Sequence, residues 1–470
     1  MGCFPIAGFA RTLIASLRDV LILTNFTSRT GRRLVLLGSI SLATPALAQT
    51  CPDLSQFYPG NDPEWPAVDA RLLPLLNQCL NSSEYFALRG AAELNTGQLS
   101  EALESLERAL LLEPDNGAAQ IDYALALFEA GQLFAALEIN RRLLGREDLP
   151  ANLQPGLRQR QQQWQRLTRQ TESQLDVLAG YDNNLNGAPT GDQLTLTLSG
   201  EPVLLELNPE FQPVSGPFTN LRAGTRFRQL TPNAQHNVTG DVRGRISEDT
   251  ESDILQFSAR YSFIRPDARH AWQVQAGVNH LFFGGSELFT ASDLGLVYQP
   301  AGDNRCRPEF TVATQHQHFH DQSQLDAIET RVTAGGVCRQ RAFGGQGAQR
   351  LGFSMGLLAN DNVENGRPGG DRQGWQLNLD WQHPLGKGSL RTQLNHTRLR
   401  DSKGYSPVLA NNAERWQQRS FILLQYREPV QIFGRDTILM VNLYHQQQRS
   451  NIELFKNTDT TAEVGFSFRF

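Results

Sequence analysis

The sequence predicts two unlike parts in series: a short α-helical repeat domain, then a 14-stranded antiparallel transmembrane β-barrel. Three observations carry this expectation. Residues 83–150 show self-similarity at a period of about 34 residues. From Leu175 onward, short segments alternate apolar and polar residues with period two. Those segments are separated by tight turns and longer polar loops in alternation. At 470 residues the chain is long enough for two or more domains. Its net charge of −5 makes no global basic field, so no nucleic-acid partner is implied. Mean hydropathy is −0.39, and past residue 50 no apolar run is long enough for a spanning helix. That excludes a helical membrane protein and is silent on a barrel, whose strands carry a weaker signal.

Residues 1–48 are expected to be an export signal. Arg32 and Arg33 supply a basic region, "LVLLGSISLATPALA" the apolar core, and Ala46, Leu47 and Ala48 a small-x-small cleavage site, leaving Gln49 first in the mature chain. The apolar core, about fifteen residues, is shorter than the about 20 a span needs. Cleavage would leave Cys51, Cys79, Cys306 and Cys338. An even count in an exported chain favours two disulfides, and pairing neighbours gives Cys51–Cys79 and Cys306–Cys338. Their spacings match no zinc pattern, and no other metal or cofactor is expected.

Residues 49–172 form the expected helical domain. Gly97, Gln98, Leu99, Ala102 and Leu103 of one unit recur as Gly131, Gln132, Leu133, Ala136 and Leu137 of the next. Gly90, Ala102 and Ala109, then Ala124 and Ala136, fall where two helices would cross closely, and Pro114 ends a helix. This pattern resembles the tetratricopeptide family over about seventy residues. Asn140 and Leu143 depart from it, as suits a terminal repeat. Two repeats alone are marginal, so helical caps are expected in "DARLLPLLNQCL" before and "GLRQRQQQWQRLTRQ" after. Such an array offers a concave surface for docking a peptide or partner and little for catalysis.

Residues 173–470 form the expected barrel. "ILQFSARYSF" places Leu255, Phe257, Ala259, Tyr261 and Phe263 on one face; "WQLNLDWQ" and "WQVQAGVN" repeat the alternation with tryptophans at the stripe ends. The turns "TPNA", "RPDA", "AGDN", "GGQG", "GKG" and "GRD" alternate with longer loops such as "NVENGRPGGD" and "DSKGYSPVLANN". The strands between them fall near 175–186, 218–229, 235–246, 252–264, 271–283, 288–299, 306–319, 326–341, 348–360, 372–383, 388–400, 414–428, 435–448 and 458–470. An even number puts both ends on the periplasmic side of an outer membrane. "DQLTLTLSGEPVLLEL" lies outside this count, as a hairpin within the first external loop. The terminal "TAEVGFSFRF" then closes the barrel. Its last-residue phenylalanine resembles the signal read by the bacterial barrel-insertion machinery. Cys306 and Cys338 are equidistant from Gln322, which places them opposite each other in a hairpin near the periplasmic rim.

Chemistry-bearing motifs are few. "HQHFH" puts His316, His318 and His320 on one face of a strand. Spaced roughly 7 Å apart, such imidazoles seldom converge on one ion, and a polar lumen or loop-base stripe is expected. Arg222, Arg226, Arg228, Arg243, Arg245 and Arg260 share a lumen wall. They could guide an acidic client or pair with Asp241 and glutamates as ordinary packing. No Ser/His/Asp or paired-carboxylate constellation stands out, so no enzyme is expected.

At the junction, Gly180, Tyr181, Asp182, Asn184 and Asn186 make a GYDxNxN-like start, followed by "TLTL" and "GEPVLLEL". Read locally, this is a strand end whose Asp and Asn make turn hydrogen bonds. After two tetratricopeptide repeats and ahead of fourteen strands, it also resembles the Slam family, the surface lipoprotein assembly modifiers of Gram-negative bacteria. That resemblance covers essentially the whole mature chain. It implies an outer-membrane translocator with its helical domain in the periplasm. The implied client is a surface lipoprotein or a secreted haem- or haemoglobin-binding protein, and periplasmic chaperones are implied partners. The alternatives are a polysaccharide-export or solute porin with a docking domain.

Overall fold

The computed structural model describes residues 50–58, 64–267, 269–302, 305–342, 347–432 and 434–470. The expected export signal and its cleavage site lie outside the described residues. So do parts of the turns "RPDA", "AGDN" and "GGQG".

Six helices come first: α1 Trp65–Leu72, α2 Ser83–Asn95, α3 Leu99–Leu112, α4 Gly117–Glu129, α5 Leu133–Leu144 and α6 Gln154–Leu167. The repeat is visible in the caps. Ser82 accepts from the Tyr85 N–H and Asn116 from the Ala119 N–H, each satisfying an orphan donor of the following helix. Gly90 is required by packing, because a Cβ there would lie 2.5 Å from Leu106 Cγ of α3. Ala102, Ala109, Ala124 and Ala136 are fully buried. Gly97 and Gly131 serve differently: each follows a helix with φ near +80° (80° and 78°), a conformation that favours glycine. Pro114 follows the end of α3 as expected.

Both caps form. The Tyr85 hydroxyl donates to Leu72 O of α1 at 3.0 Å. At the other end Trp164 of α6 stacks on Phe128, ring centroids 4.7 Å apart. The atypical Asn140 belongs to this cap, donating to Leu157 O at 3.0 Å and to Gln161 at 2.7 Å while accepting from Arg160. Cys51 and Cys79 are each disulfide-bonded. Among the described residues, no helix is long and apolar enough to cross a membrane.

The chain then enters the sheet directly. β1 is Arg169–Asp182, so the expected start at residue 173 falls inside it. A hairpin follows, β2 Gln193–Leu198 and β3 Glu201–Glu206. The remaining strands are β4 Gly216–Thr231, β5 Ala234–Ser247, β6 Ile254–Pro266, β7 Ala271–Phe283, β8 Ser286–Gln299, β9 Cys306–Phe319, β10 Ala327–Arg341, β11 Ala348–Asn362, β12 Arg372–Leu385, β13 Gly388–Ser406, β14 Leu409–Ile432, β15 Arg435–Ser450 and β16 Asn457–Arg469. Every strand pairs antiparallel with its neighbours, and β1 pairs with both β4 and β16. With β2 and β3 set aside, fourteen of the sixteen strands close a barrel, leaving no open edge.

The hairpin β2–β3 touches the barrel through Leu196 and Leu409 of β14. That contact accounts for the largest difference from the expected strands. "DSKGYSPVLANN" is not a free loop, because β13 and β14 continue, with two register shifts and left-handed residues at 410–412, to a two-residue turn at 407–408. Buried Leu409 and the Thr197 N–H to Val408 O bond (2.9 Å) hold this long tip against the hairpin.

Alternation sorts the side chains. Leu294, Val312, Val332, Phe353, Met355, Leu357 and Val464 are all more than half exposed and share the outer face (55, 52, 51, 51, 57, 67 and 52%). So much exposed apolar surface is the mark of strands that face hydrocarbon. In β16 the inward Thr461, Glu463, Gly465 and Ser467 are buried while outward residues are exposed. Cys306 and Cys338 are register partners and disulfide-bonded, on the outward side at the short-turn end.

Candidate functional site: the barrel lumen and its two ends

All six arginines of the expected ladder point inward, since their register partners and neighbours of opposite parity carry the exposed apolar face. They do not act as one free track. Arg222 reaches Asp241 at 3.5 Å and Arg260 reaches Asp293 at 3.4 Å, both partly open to water. Arg228 is bonded to Gln170. Arg222, Asp241, Arg243, Arg260 and Asp293 line a polar cavity of about 490 Å³ at mid-height. A second cavity of about 450 Å³ lies nearer the short turns, lined by Glu172, Arg226, Arg228 and Arg260.

Arg245 has a separate role. Its guanidinium pairs with Asp182 at 3.2 Å in a nearly closed site and donates to Ser252 O at 2.8 Å. The first and second loops on the far side are thereby tied to one strand end. The junction motif completes this lock. Asp182 accepts from the Asn184 N–H (2.8 Å), and Asn184 exchanges bonds with the Ala188 backbone (2.9 Å each way). Asn186 donates to Gln212 O and accepts from the Val214 N–H. Gly180 makes room for Phe218: a Cβ would sit 2.6 Å from Phe218 Cζ and 2.6 Å from Ala462 O. Tyr181 alone points outward, 54% exposed. The motif therefore holds the long first loop in place, and four of its five residues face away from lipid.

At mid-height Glu463 is buried and accepts from Asn220 (2.9 Å), Asn442 (3.0 Å) and the Tyr444 hydroxyl (3.1 Å). Three strands around the closing seam are thus joined by one carboxylate.

The histidine stripe is not in the lumen. Cys306, Phe310, Val312, His316 and His318 share the outward parity of β9. His318 Nδ1 is held by Asp326 at 2.6 Å, and its ring meets that of His320 edge-on at 5.0 Å.

Nothing in the sequence singled out two charged groups at the barrel ends. At the loop end Arg415, 2% exposed, meets Asp401 at 3.1 Å and lies 4.4 Å from both the Tyr405 and Phe455 rings. Arg372 reaches the same Asp401 at 3.6 Å, while Arg367 keeps two buried nitrogens without hydrogen-bond partners. These residues sit in and beside the stretches expected to be loops, where no periodicity marks a partner.

At the short-turn end a cavity of about 510 Å³ is lined by Arg350, Lys387, Arg391, Arg427 and Arg469. Arg391 is paired with Asp380, its Nε donating at 2.8 Å. Among the described residues no carboxylate lines the cavity itself, and Arg427 Nη2 is buried without a hydrogen-bond partner. The short-turn mouth is therefore strongly basic.

A closed barrel of this build, apolar outside and polar within, is a membrane-spanning β-barrel preceded by tetratricopeptide-type helices. The tetratricopeptide repeat model matches residues 94–159. No curated protein sequence matches the chain. Among solved structures, the chain is similar to an anion-selective porin from Comamonas acidovorans, at 11% identity and TM-score 0.35, over 64% of this chain and 99% of that one. A FadL homologue from Pseudomonas aeruginosa matches at 10% identity and TM-score 0.35, over 64% and 89%. A bacterial polysaccharide outer membrane secretin matches at 11% identity and TM-score 0.33, over 63% and 98%.

Proposed function

We propose that this protein is an outer-membrane translocator that delivers a client protein across the membrane, with its helical domain on the periplasmic side. The observation that carries the reading is the junction. A single residue, Thr168, separates α6 from β1, and its carbonyl accepts from Leu230 N–H at 2.7 Å. A peptide-docking module is thereby fixed to the short-turn end, where the basic mouth opens. A client segment rich in Asp and Glu is favoured there by Coulomb attraction.

The resemblance to surface lipoprotein assembly modifiers supports the same role and the same clients, a surface lipoprotein or a secreted haem- or haemoglobin-binding protein. No catalytic role is part of this proposal, and chaperones would hand the client to the helices. The test is protease shaving of intact cells that co-express this protein with the client encoded beside it. Client that becomes accessible only when the barrel is present supports translocation. Client that stays shielded while the barrel is inserted overturns that pairing.

The polar mid-height cavities favour a second reading, a polysaccharide-export or solute porin with a docking domain. Polymer or small-solute flux through the purified barrel, independent of any client, would favour it instead.

A further inference from the structure

We propose that His280, Glu287 and His320 form a binding site for a zinc-type divalent cation on the outward face of the barrel, at its loop end. The three residues come from β7, β8 and the residue just past β9. One donor atom of each lies within 4.8 Å of the other two.

Local backbone chemistry builds the cluster. Along β7 the outward residues Trp272, Val274 and Val278 give way to His280 above the apolar band. At the end of this hairpin Leu281 pairs with Phe289, but Phe282 pairs with Glu287. One extra residue, Leu288, is thus inserted in β8. Such a bulge re-aims the side chains beside it, and it sets Glu287 opposite outward-facing Phe282. His320 is pinned to the same place by its N–H, which donates to Leu288 O at 3.2 Å.

The side chains are already oriented. His320 Nδ1 lies 3.3 Å from Glu287 Oε2, and the two imidazole centroids are 5.4 Å apart. Between the rings, the Thr290 hydroxyl bonds His280 Nδ1 at 2.7 Å and His320 Nε2 at 2.9 Å. A hydrogen bond of this kind holds a ligating ring in place. His318 has its ring 5.0 Å from His320, but its Nδ1 is taken by Asp326. Two imidazoles and one carboxylate match the preference of Zn²⁺ and its neighbours, with a position left for water. Calcium and magnesium prefer oxygen-only sets. A cation here would clasp the β7–β8 hairpin to the end of β9 from outside the lumen. The inference is independent of the transport reading.

The test uses tag-free, full-length protein in detergent micelles, stripped with a chelator and titrated with Zn²⁺ against a chromogenic competitor. About one Zn²⁺ per chain is expected. Affinity should fall about tenfold or more in His280→Ala, Glu287→Gln and His320→Ala. It should be unchanged in His236→Ala, an imidazole on β5 bonded to Tyr261 instead. Co²⁺ in place of Zn²⁺ should give strong visible absorption that the same three variants lose. Retention of the folded, heat-modifiable band on gels checks each variant, and His320→Gln substitutes where alanine does not fold. Substoichiometric binding by the native chain, or binding that survives the His280→Ala/His320→Ala pair, overturns the proposal.

Discussion

Asp182 and Arg245 form an ion pair of 3.2 Å at the loop end of the barrel, the carboxylate side chain 3% and the guanidinium 12% exposed. Both residues were conspicuous in the sequence, one in the junction motif and one in the arginine ladder. Their meeting gives each a structural role. Removing one partner strands the other in a closed site, which typically costs about 3–5 kcal/mol. Arg245→Ala and Asp182→Asn should each lower the temperature at which the barrel loses its folded gel mobility. The double variant should cost less than the two singles combined. Native-like mobility in both singles would remove the lock from the account.

Gly180→Ala should impair folding for a different reason. Its new methyl would meet the Phe218 ring and Ala462 O, and overpacking of this kind costs about 1–3 kcal/mol. Phe218→Leu should restore part of the loss, since the ring is half of the conflict. Urea unfolding in lipid vesicles measures both. Equal stability of Gly180→Ala and native chain would contradict the packing.

The basic mouth should bias permeation. Arg350, Lys387 and Arg469 line it, and among the described residues no carboxylate does. In planar bilayers under a salt gradient, the native barrel should favour anions. Arg350→Glu with Lys387→Glu should shift the reversal potential toward cations and reduce client export several-fold. Unaltered selectivity would show that the mouth does not control passage.

Stability of the helical domain should depend on pH through Asp122. Burial raises its carboxyl from 3.8 to about 6, although Arg160 opposes the shift. The folded chain therefore holds this proton to higher pH than the unfolded chain does. The stabilising contribution is present in acid and declines as pH rises from about 4 to about 6. Asp122→Asn should flatten that decline and stabilise α4 by about 1–2 kcal/mol at pH 7. Hydrogen exchange of α4 amides in the full chain reads the effect. A decline that persists in the variant would assign it to another group.

Much of the architecture was legible because its signals are local. Ala102 and Ala136 recur at the repeat period and are both buried at helix crossings. Cys306 and Cys338 lie equidistant from Gln322, and a hairpin centred there must oppose them. The turn residues marked most strand ends closely, but β1 begins at Arg169 rather than near 175 and β13 runs on to Ser406 rather than 400. The tip of β13 and β14 escaped notice because "DSKGYSPVLANN" is rich in turn formers. Its ladder persists through contact with Leu196 of a hairpin two hundred residues earlier in the chain.

What the amino-acid order determined by itself was the repeat, the number of barrel strands, the Cys306–Cys338 register and the alternation that sorts most strands into two faces. These follow from periods of 3.6 and two and from turn chemistry, which neighbours in sequence enforce. What only the closed barrel decided was which inward or outward groups meet. Asp182 finds Arg245 beyond β4, Asn220 finds Glu463 across the β1–β16 seam, and His280 finds His320 across β8, because the closed sheet brings strands that are not neighbours in sequence to one height. Alternation names a face, but a partner is set by stagger and closure, which are properties of the whole ring.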